Sequence, residues 1–295
     1  MLVSTLEARR LLSVSLDPTT HVLTVTGTTN DDVITVALQS GQLKVTDNGT
    51  ARLFPLAAVR RVAVNARAGG DTVTVDQAVL LPTTLDSGPG GGYGDDIQGG
   101  GGPDTIFLRG IYSAARGGGG GDTIYNYGAG NAVYGEAGGD FLASRSSQEN
   151  DCRYDGGPGV DTIDYSAATV GLVIRNGQVA AARPGTGLPP QYEPWYPDTV
   201  GGFENFFGGQ GDDYIYGTAG VNILKGNGGN DYLRGGAGND VLYGGAGRDA
   251  LYGDDGDDTL YANDGAQDFL SGGLGTDRGS RDASDVVNGV EVVVK

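Results

Sequence analysis

The stretch GGAGNDVLYGGAGRDALYGDDGDDTLY, residues 235–261, repeats a nine-residue unit three times. Each unit opens on glycine, carries aspartate at its sixth position (Asp240, Asp249, Asp258) and a leucine at its eighth (Leu242, Leu251, Leu260). Like charges repel, and glycine loses more conformational freedom on ordering than any other residue. A strict period that combines the two needs a physical reason.

Working outward, the same unit runs from Gly208 to about residue 280. The sixth positions are Asp213, Asn222, Asp231, Asp240, Asp249, Asp258, Asp268 and Asp277, with one extra residue before the Asp268 unit. The eighth positions are Ile215, Leu224, Leu233, Leu242, Leu251, Leu260 and Leu270, then Gly279. Each unit reads as a glycine-rich turn followed by a very short strand with one large aliphatic residue. Such a strand buries nothing alone, whereas stacked copies form a continuous thin core. If one unit makes a turn and a strand, two units close a coil, and residues eighteen apart sit above one another. One edge then carries Asp213, Asp231, Asp249 and Asp268, and the other Asn222, Asp240, Asp258 and Asp277. Coils in a parallel sheet lie roughly 4.8 Å apart, and bare carboxylates at that spacing repel. A hard dication between turns reverses the sign. Ca²⁺ accepts six to eight oxygens at about 2.3–2.6 Å in a tolerant geometry, whereas Mg²⁺ demands a tight octahedron. Zinc favours His and Cys, and the chain has one of each.

These units resemble the G-G-x-G-x-D-x-U-x nonapeptide of RTX (hemolysin-type) calcium-binding proteins, where U is a large aliphatic residue. The resemblance implies a right-handed parallel β-roll with several Ca²⁺ ions between successive turns. It also implies secretion, with folding driven by extracellular calcium. Asn222 departs from the pattern and weakens one site; Gly279 removes a core residue and marks the end of the roll.

A more degenerate series precedes it. From Gly99 the sixth positions are Asp104, Ser113, Asp122, Asn131 and Asp140, with Asp96 in a short unit before them and Asp161 after the polar stretch 144–155. The same coil rule puts Asp104, Asp122 and Asp140 on one edge, and Ser113 and Asn131, preceded by Asp96, on the other. The expectation is a one-sided roll, with calcium along the first edge and neutral hydrogen bonds along the second. The alternative is solenoid without metal. Cys152 falls in the polar stretch, which reads as a surface loop.

The fold expected is all-β: a β-solenoid in two repeat blocks, 91–164 and 208–280, with an N-terminal β cap over 1–90, a spacer over 165–207 and a capping strand over 281–295. In the first part, Asp32 and Asp71 stand at the sixth positions of worn units. The segment LEARRLLS, residues 6–13, resembles the N-terminal segment of secreted or surface proteins of planctomycete-type bacteria. The start reads equally as an unusual export segment or as a leading strand. The spacer is similar to those that join nonapeptide blocks in RTX proteins. Its Tyr192, Trp195 and Tyr196 could form a sugar-stacking platform or cover the side of the solenoid.

Composition bounds the function. The formal charge is −18, and residues 208–277 hold twelve Asp against three basic residues, a balance of −9. A nucleic-acid binder has the opposite sign. No apolar run approaches the ~18 residues of a membrane span, and one cysteine excludes an internal disulfide framework. The single His excludes an H-E-x-x-H site, and there is no G-x-S-x-G elbow. The reading is a secreted or cell-surface calcium-binding protein without catalytic activity, holding roughly six to eight ions if one lies between successive turns. Two other readings remain: an accessory module of a secreted enzyme, and an adhesion or surface-layer component with a polysaccharide or cell-surface partner.

Overall fold

In the computed structural model, residues 13–89, 93–145, 151–175, 178–181 and 198–294 are described. The leader 1–12 and the aromatic segment holding Tyr192, Trp195 and Tyr196 lie outside them. Among the described residues the chain is all-β apart from one short 3₁₀ turn, Leu56–Ala58.

Successive strands alternate between two faces. One face is a continuous sheet of fourteen strands; the other is divided into a nine-stranded and a seven-stranded sheet. The eighteen-residue stacking expected from the period is present: Ile106 pairs with Ile124, Ile124 with Leu142, Leu224 with Leu242, and Leu242 with Leu260. On the opposite face Ile215, Leu233, Leu251 and Leu270 form the matching column. All these side chains are fully buried. Within the repeats the strands of each sheet pair in parallel, so no hairpin turn joins neighbours there; the next strand of the same sheet arrives only after the chain has crossed the other face.

The periodic core extends further toward the N-terminus than the regular repeats do. Val22–Thr26, Arg61–Asn65 and Thr83–Asp86 stack in parallel in the long sheet, and Val33–Gln39, Thr72–Val75 and Asp96–Gln98 in the nine-stranded one. Antiparallel strands close this end. Ser13–Leu16 lies against Val22–Thr26, and Gln42–Asp47 and Thr50–Pro55 extend the other face. Pro55 ends the outermost strand, where a missing N–H blunts further pairing.

At the spacer the two faces behave differently. The long sheet continues through it, with Thr162–Asp164, Asn205–Phe207 and Ile223–Gly228 in succession. The other face breaks. Thr199–Gly201 ends the nine-stranded sheet, and the hairpin Leu172–Arg175/Gln178–Ala181 starts the seven-stranded one by pairing Val173 and Ile174 with Tyr214 and Ile215.

Outward positions on the strands carry aromatic ladders. The rings of Tyr243 and Tyr261 stack at 4.7 Å, and the Lys225 ammonium sits 4.3 Å from the centre of the Phe207 ring. These side chains keep contact with water, unlike the leucines behind them. Replacing Leu242 by Ala is therefore expected to cost about 2–5 kcal/mol. Replacing Tyr243 by Ala should cost clearly less, as read from denaturant melts of the calcium-loaded protein.

Candidate metal sites

The backbone places one sixth-position side chain per half-coil, two per coil, at the start of each strand, where it turns into the stack. One of its oxygens has a fixed task. Asp104 N–H donates to Asp122 Oδ1 at 2.8 Å, Asp122 N–H to Asp140 Oδ1 at 2.8 Å, and Asp140 N–H to Asp161 Oδ1 at 2.8 Å. In the second block Asp213 N–H donates to Asp231, Asp231 to Asp249, and Asp249 to Asp268, at 2.7–2.8 Å. On the other edge Asn222 N–H donates to Asp240, Asp240 to Asp258, and Asp258 to Asp277, at 2.8–2.9 Å. The carboxylates thus climb the edges as a ladder, each tied to the amide of the coil before it. Every one of these aspartates is at most 2 % exposed.

The second oxygen divides them into two classes. Oδ2 of Asp122, Asp140, Asp161, Asp231, Asp240, Asp249, Asp258, Asp268, Asp277 and Asp71 is buried with no hydrogen-bond partner. At Asp104 and Asp213 the second oxygen accepts from the N–H four residues earlier, Gly100 and Gly209, at 2.6 Å. Asp32 accepts in the same way from Thr28, and Asn222 Oδ1 from Thr218. The difference lies in the residue at the second position of the unit. Where the oxygen is orphaned that residue is generally left-handed: Gly118 (φ 107°) before Asp122, Gly245 (φ 113°) before Asp249, and even Glu136, Asn227 and Asp254 before Asp140, Asp231 and Asp258. A left-handed φ is strained for a residue with a Cβ. Asp268, whose unit carries the extra residue, is orphaned without this turn.

An orphaned, buried carboxylate oxygen is costly, and a native structure that repeats it ten times requires a compensating charge. The surroundings fit a hard cation. A Cβ built on Gly244 would overlap Asp249 Oδ2, and one built on Gly117 would overlap Asp122 Oδ2 and lie 2.7 Å from the Gly135 carbonyl oxygen of the next coil. Carboxylate and carbonyl oxygens therefore converge where only glycine leaves room. Among the described residues no three His, Cys, Asp or Glu side chains converge on one point. Each level supplies few carboxylates, so carbonyls must complete any shell, which suits Ca²⁺ and not zinc.

Two expectations need correction. Asp96 is not a ladder residue. It stands level with Thr72 on the outward side of its strand and pairs with Arg116 at 2.6 Å. Asp95 takes the ladder place, accepting from Asp71 N–H at 3.0 Å and donating to Ser113 Oγ at 3.0 Å. Counting back nine from Gly99 gives a full unit over 90–98 with Asp95 sixth and Ile97 eighth, whereas a unit begun at Gly91 puts Asp96 sixth. Cys152 is not in a surface loop. It is 3 % exposed and stands on the neutral edge, its N–H donating to Asp198 Oδ1 at 2.7 Å. Along that edge Ser113 N–H donates to Asn131 Oδ1, and Asn131 Nδ2 to Asn126 Oδ1, so hydrogen bonds between neutral groups replace carboxylates there. Asp104 and Asp213 do stand on the ladder, but each heads its run with both oxygens engaged.

Sequence reasoning missed a second, exposed ladder at the fifth position. Asn230 N–H donates to Asp212 Oδ1, Arg248 N–H to Asn230 Oδ1, and Thr276 N–H to Asp257 Oδ1, at 2.7–2.9 Å. It runs opposite to the buried one. Its signal was the recurrent Asn or Asp just before the ladder residue.

Comparison with known families agrees with this geometry. The RTX calcium-binding nonapeptide repeat (4 copies) matches residues 89–110, 198–233, 207–242, 234–266 and 243–278. No curated protein matches the chain.

Without a cation, burial raises the ladder carboxyls: Asp231 to about 8, Asp122 and Asp213 to about 7, and Asp71, Asp161, Asp240, Asp249 and Asp258 to about 6, from 3.8. The folded state then binds more protons than the unfolded chain between pH ~4 and ~8. Stability in chelator should be greatest at low pH and fall as pH rises from about 4 to about 8. Saturating calcium should reverse that slope, because protons compete with the ion. Thermal melts across pH, with and without chelator, measure both. Gly244→Ala should weaken calcium binding by crowding Asp249, seen as a lower calorimetric stoichiometry.

Proposed function

For a chain that carries RTX calcium-binding nonapeptide repeats, we propose a secreted or cell-surface role in which calcium completes the fold and no reaction is catalysed. The observation that carries this reading is the stack of ten buried carboxylate oxygens without partners along the solenoid edges. Bound Ca²⁺ supplies the positive charge these oxygens lack. The chain's own residues do the rest: amide-to-carboxylate bonds set the spacing, the left-handed turns turn carbonyls inward, and the aliphatic columns hold the coils in register. Free energy of binding to a site that exists only in the folded state is folding free energy.

An extracellular setting is supported by the charge ladder itself. Extracellular calcium modules bind at about 10⁻⁴–10⁻³ M, so such a chain stays loose at cytosolic calcium and orders outside the cell. Among the described residues no helix is long and apolar enough to cross a membrane. The non-catalytic reading rests on the absence of a nucleophile motif in the sequence and on His21, whose Nδ1 lies 3.1 Å from the Ala58 carbonyl oxygen in the N-terminal coils. The outward aromatic ladders, such as Tyr214 and Tyr232 with centroids 6.0 Å apart, favour a polysaccharide or cell-surface partner over a soluble small molecule.

Circular dichroism during a calcium titration at neutral pH tests the proposal. β signal should rise with a midpoint near the millimolar range, and magnesium at equal concentration should do so poorly. Calorimetry should count up to about ten ions, one per orphaned oxygen, above the roughly six to eight expected from turn counting. A chain already fully folded in chelator at neutral pH, or one that responds equally to magnesium, overturns it.

A further inference from the structure

The ladder that begins at Asp104 and the ladder that runs from Asn222 to Asp277 both end in a turn built differently from their rungs. Residues 198–207 read DTVGGFENFF, and residues 285–294 read DVVNGVEVVV. Both hold Asp, then an apolar strand, then Gly, an apolar residue and Glu. From Asp198 to Glu204, and from Asp285 to Glu291, the chain advances six residues where a regular half-coil advances nine. The hydrogen bonds repeat as well. Asp161 N–H donates to Glu204 Oε2 at 2.8 Å and Asp277 N–H to Glu291 Oε2 at 2.6 Å, in the place where a regular coil offers Asp Oδ1. Glu204 N–H and Glu291 N–H turn back to the carbonyl oxygens of Asp161 and Asp277, at 3.2 and 3.0 Å. In a regular rung that amide would reach forward to the next carboxylate, so glutamate ends the ladder.

The shortened turn still presents the same oxygens. Gly202 (φ 70°) and Gly289 (φ 62°) are left-handed. A Cβ built on Gly156 would overlap the Gly202 carbonyl oxygen and lie 2.8 Å from Asp161 Oδ2. A Cβ built on Gly272 would overlap both the Gly289 carbonyl oxygen and Asp277 Oδ2. The pairing of glycine carbonyl with carboxylate is the one seen between regular coils. The extra methylene of Glu covers the reach that the missing three residues would have supplied. Phe203, 5 % exposed, and Val290, packed against the core, fix the short turn from inside. Asp161 and Asp277 are fully buried, and each faces this turn with an oxygen that has no partner.

We propose that Glu204 and Glu291, with the carbonyls of Gly202 and Gly289, close a terminal cation site with Asp161 and Asp277 respectively. The Gly-apolar-Glu turn acts as a last half-site that binds an ion and asks for no further carboxylate. This rests on the calcium reading above and goes beyond it, since neither glutamate stands at a nonapeptide sixth position.

The full-length chain in calcium tests this through Glu204→Gln and Glu291→Gln. The amide oxygen still accepts from the Asp N–H, so the coil keeps its hydrogen bond and loses only the charge. Each variant should bind about one ion fewer by calorimetry, and the double variant about two fewer. In chelator both should melt at or above the wild-type temperature, whereas in saturating calcium they should gain less than wild type does. Glu291→Asp, which keeps the charge and shortens the reach, should lose the same ion. Unchanged stoichiometry and affinity in the glutamine variants overturns the site, as does an equal loss of stability in chelator and calcium, which marks a purely structural cap. Full binding by Glu291→Asp overturns the reach argument. A wild type that binds no calcium would instead overturn the function proposed above.

Discussion

Each coil is fastened to its neighbour by an amide donating to a carboxylate oxygen, and the other oxygen of that carboxylate is left buried. The first bond sets the register, since it forms only when sixth-position residues of successive coils stand level, whether eighteen residues apart as at Asp231 and Asp249 or twenty-one as at Asp140 and Asp161. The second oxygen sets the energetics. Stacked leucines contribute about 1.5–3 kcal/mol each when fully buried, and the thin solenoid has one such residue per half-coil. Uncompensated carboxylates act against that sum at every level. The apolar column and the charged edges are therefore one system, in which the core drives stacking and the edges decide under what ionic conditions stacking is stable.

Much of this was legible in the sequence because a solenoid converts linear period directly into spatial neighbourhood. The nine-residue unit fixed which leucines touch and which aspartates stack, and the neutral edge could be read from Ser113 and Asn131. Legibility failed where the count slipped by a residue. Asp96 was read for Asp95 because the glycine run at 90–92 allows the unit to be begun one residue late, at Gly91. Cys152 was assigned to a loop because the polar run around it hides a strand, Arg153–Asp155, that pairs in register with Ala132–Tyr134. Glu204 and Glu291 went unnoticed as ladder residues for a related reason: the turn before each is three residues shorter, so a search at fixed spacing passes over them.

The spacer shows how two blocks of different character share one axis. The long sheet passes through it unbroken, carrying the edge that begins at Asp104 to Glu204 and onward from Asn222, whose Nδ2 donates to the Glu204 carbonyl at 2.6 Å. The opposite face is restarted. Leu172 N–H donates to Asp213 Oδ1 at 2.6 Å, so a hairpin outside the repeat supplies the amide that a preceding coil would otherwise give. The neutral edge of Ser113, Asn131 and Cys152 thus gives way to the acidic edge of Asp213 to Asp268 without a carboxylate facing an unprepared coil.

The handedness of one residue per unit has a consequence for how such a chain can change. With Gly100 or Thr218 at the second position, the turn satisfies its own side chain. With a left-handed residue there, as at Gly118 or Asn227, the same turn leaves an oxygen to be neutralised. Ion demand is therefore set coil by coil at a position remote from the leucine column. Substitution there can tune the dependence of the fold on ambient calcium one level at a time, while the packing that defines the architecture stays as it is.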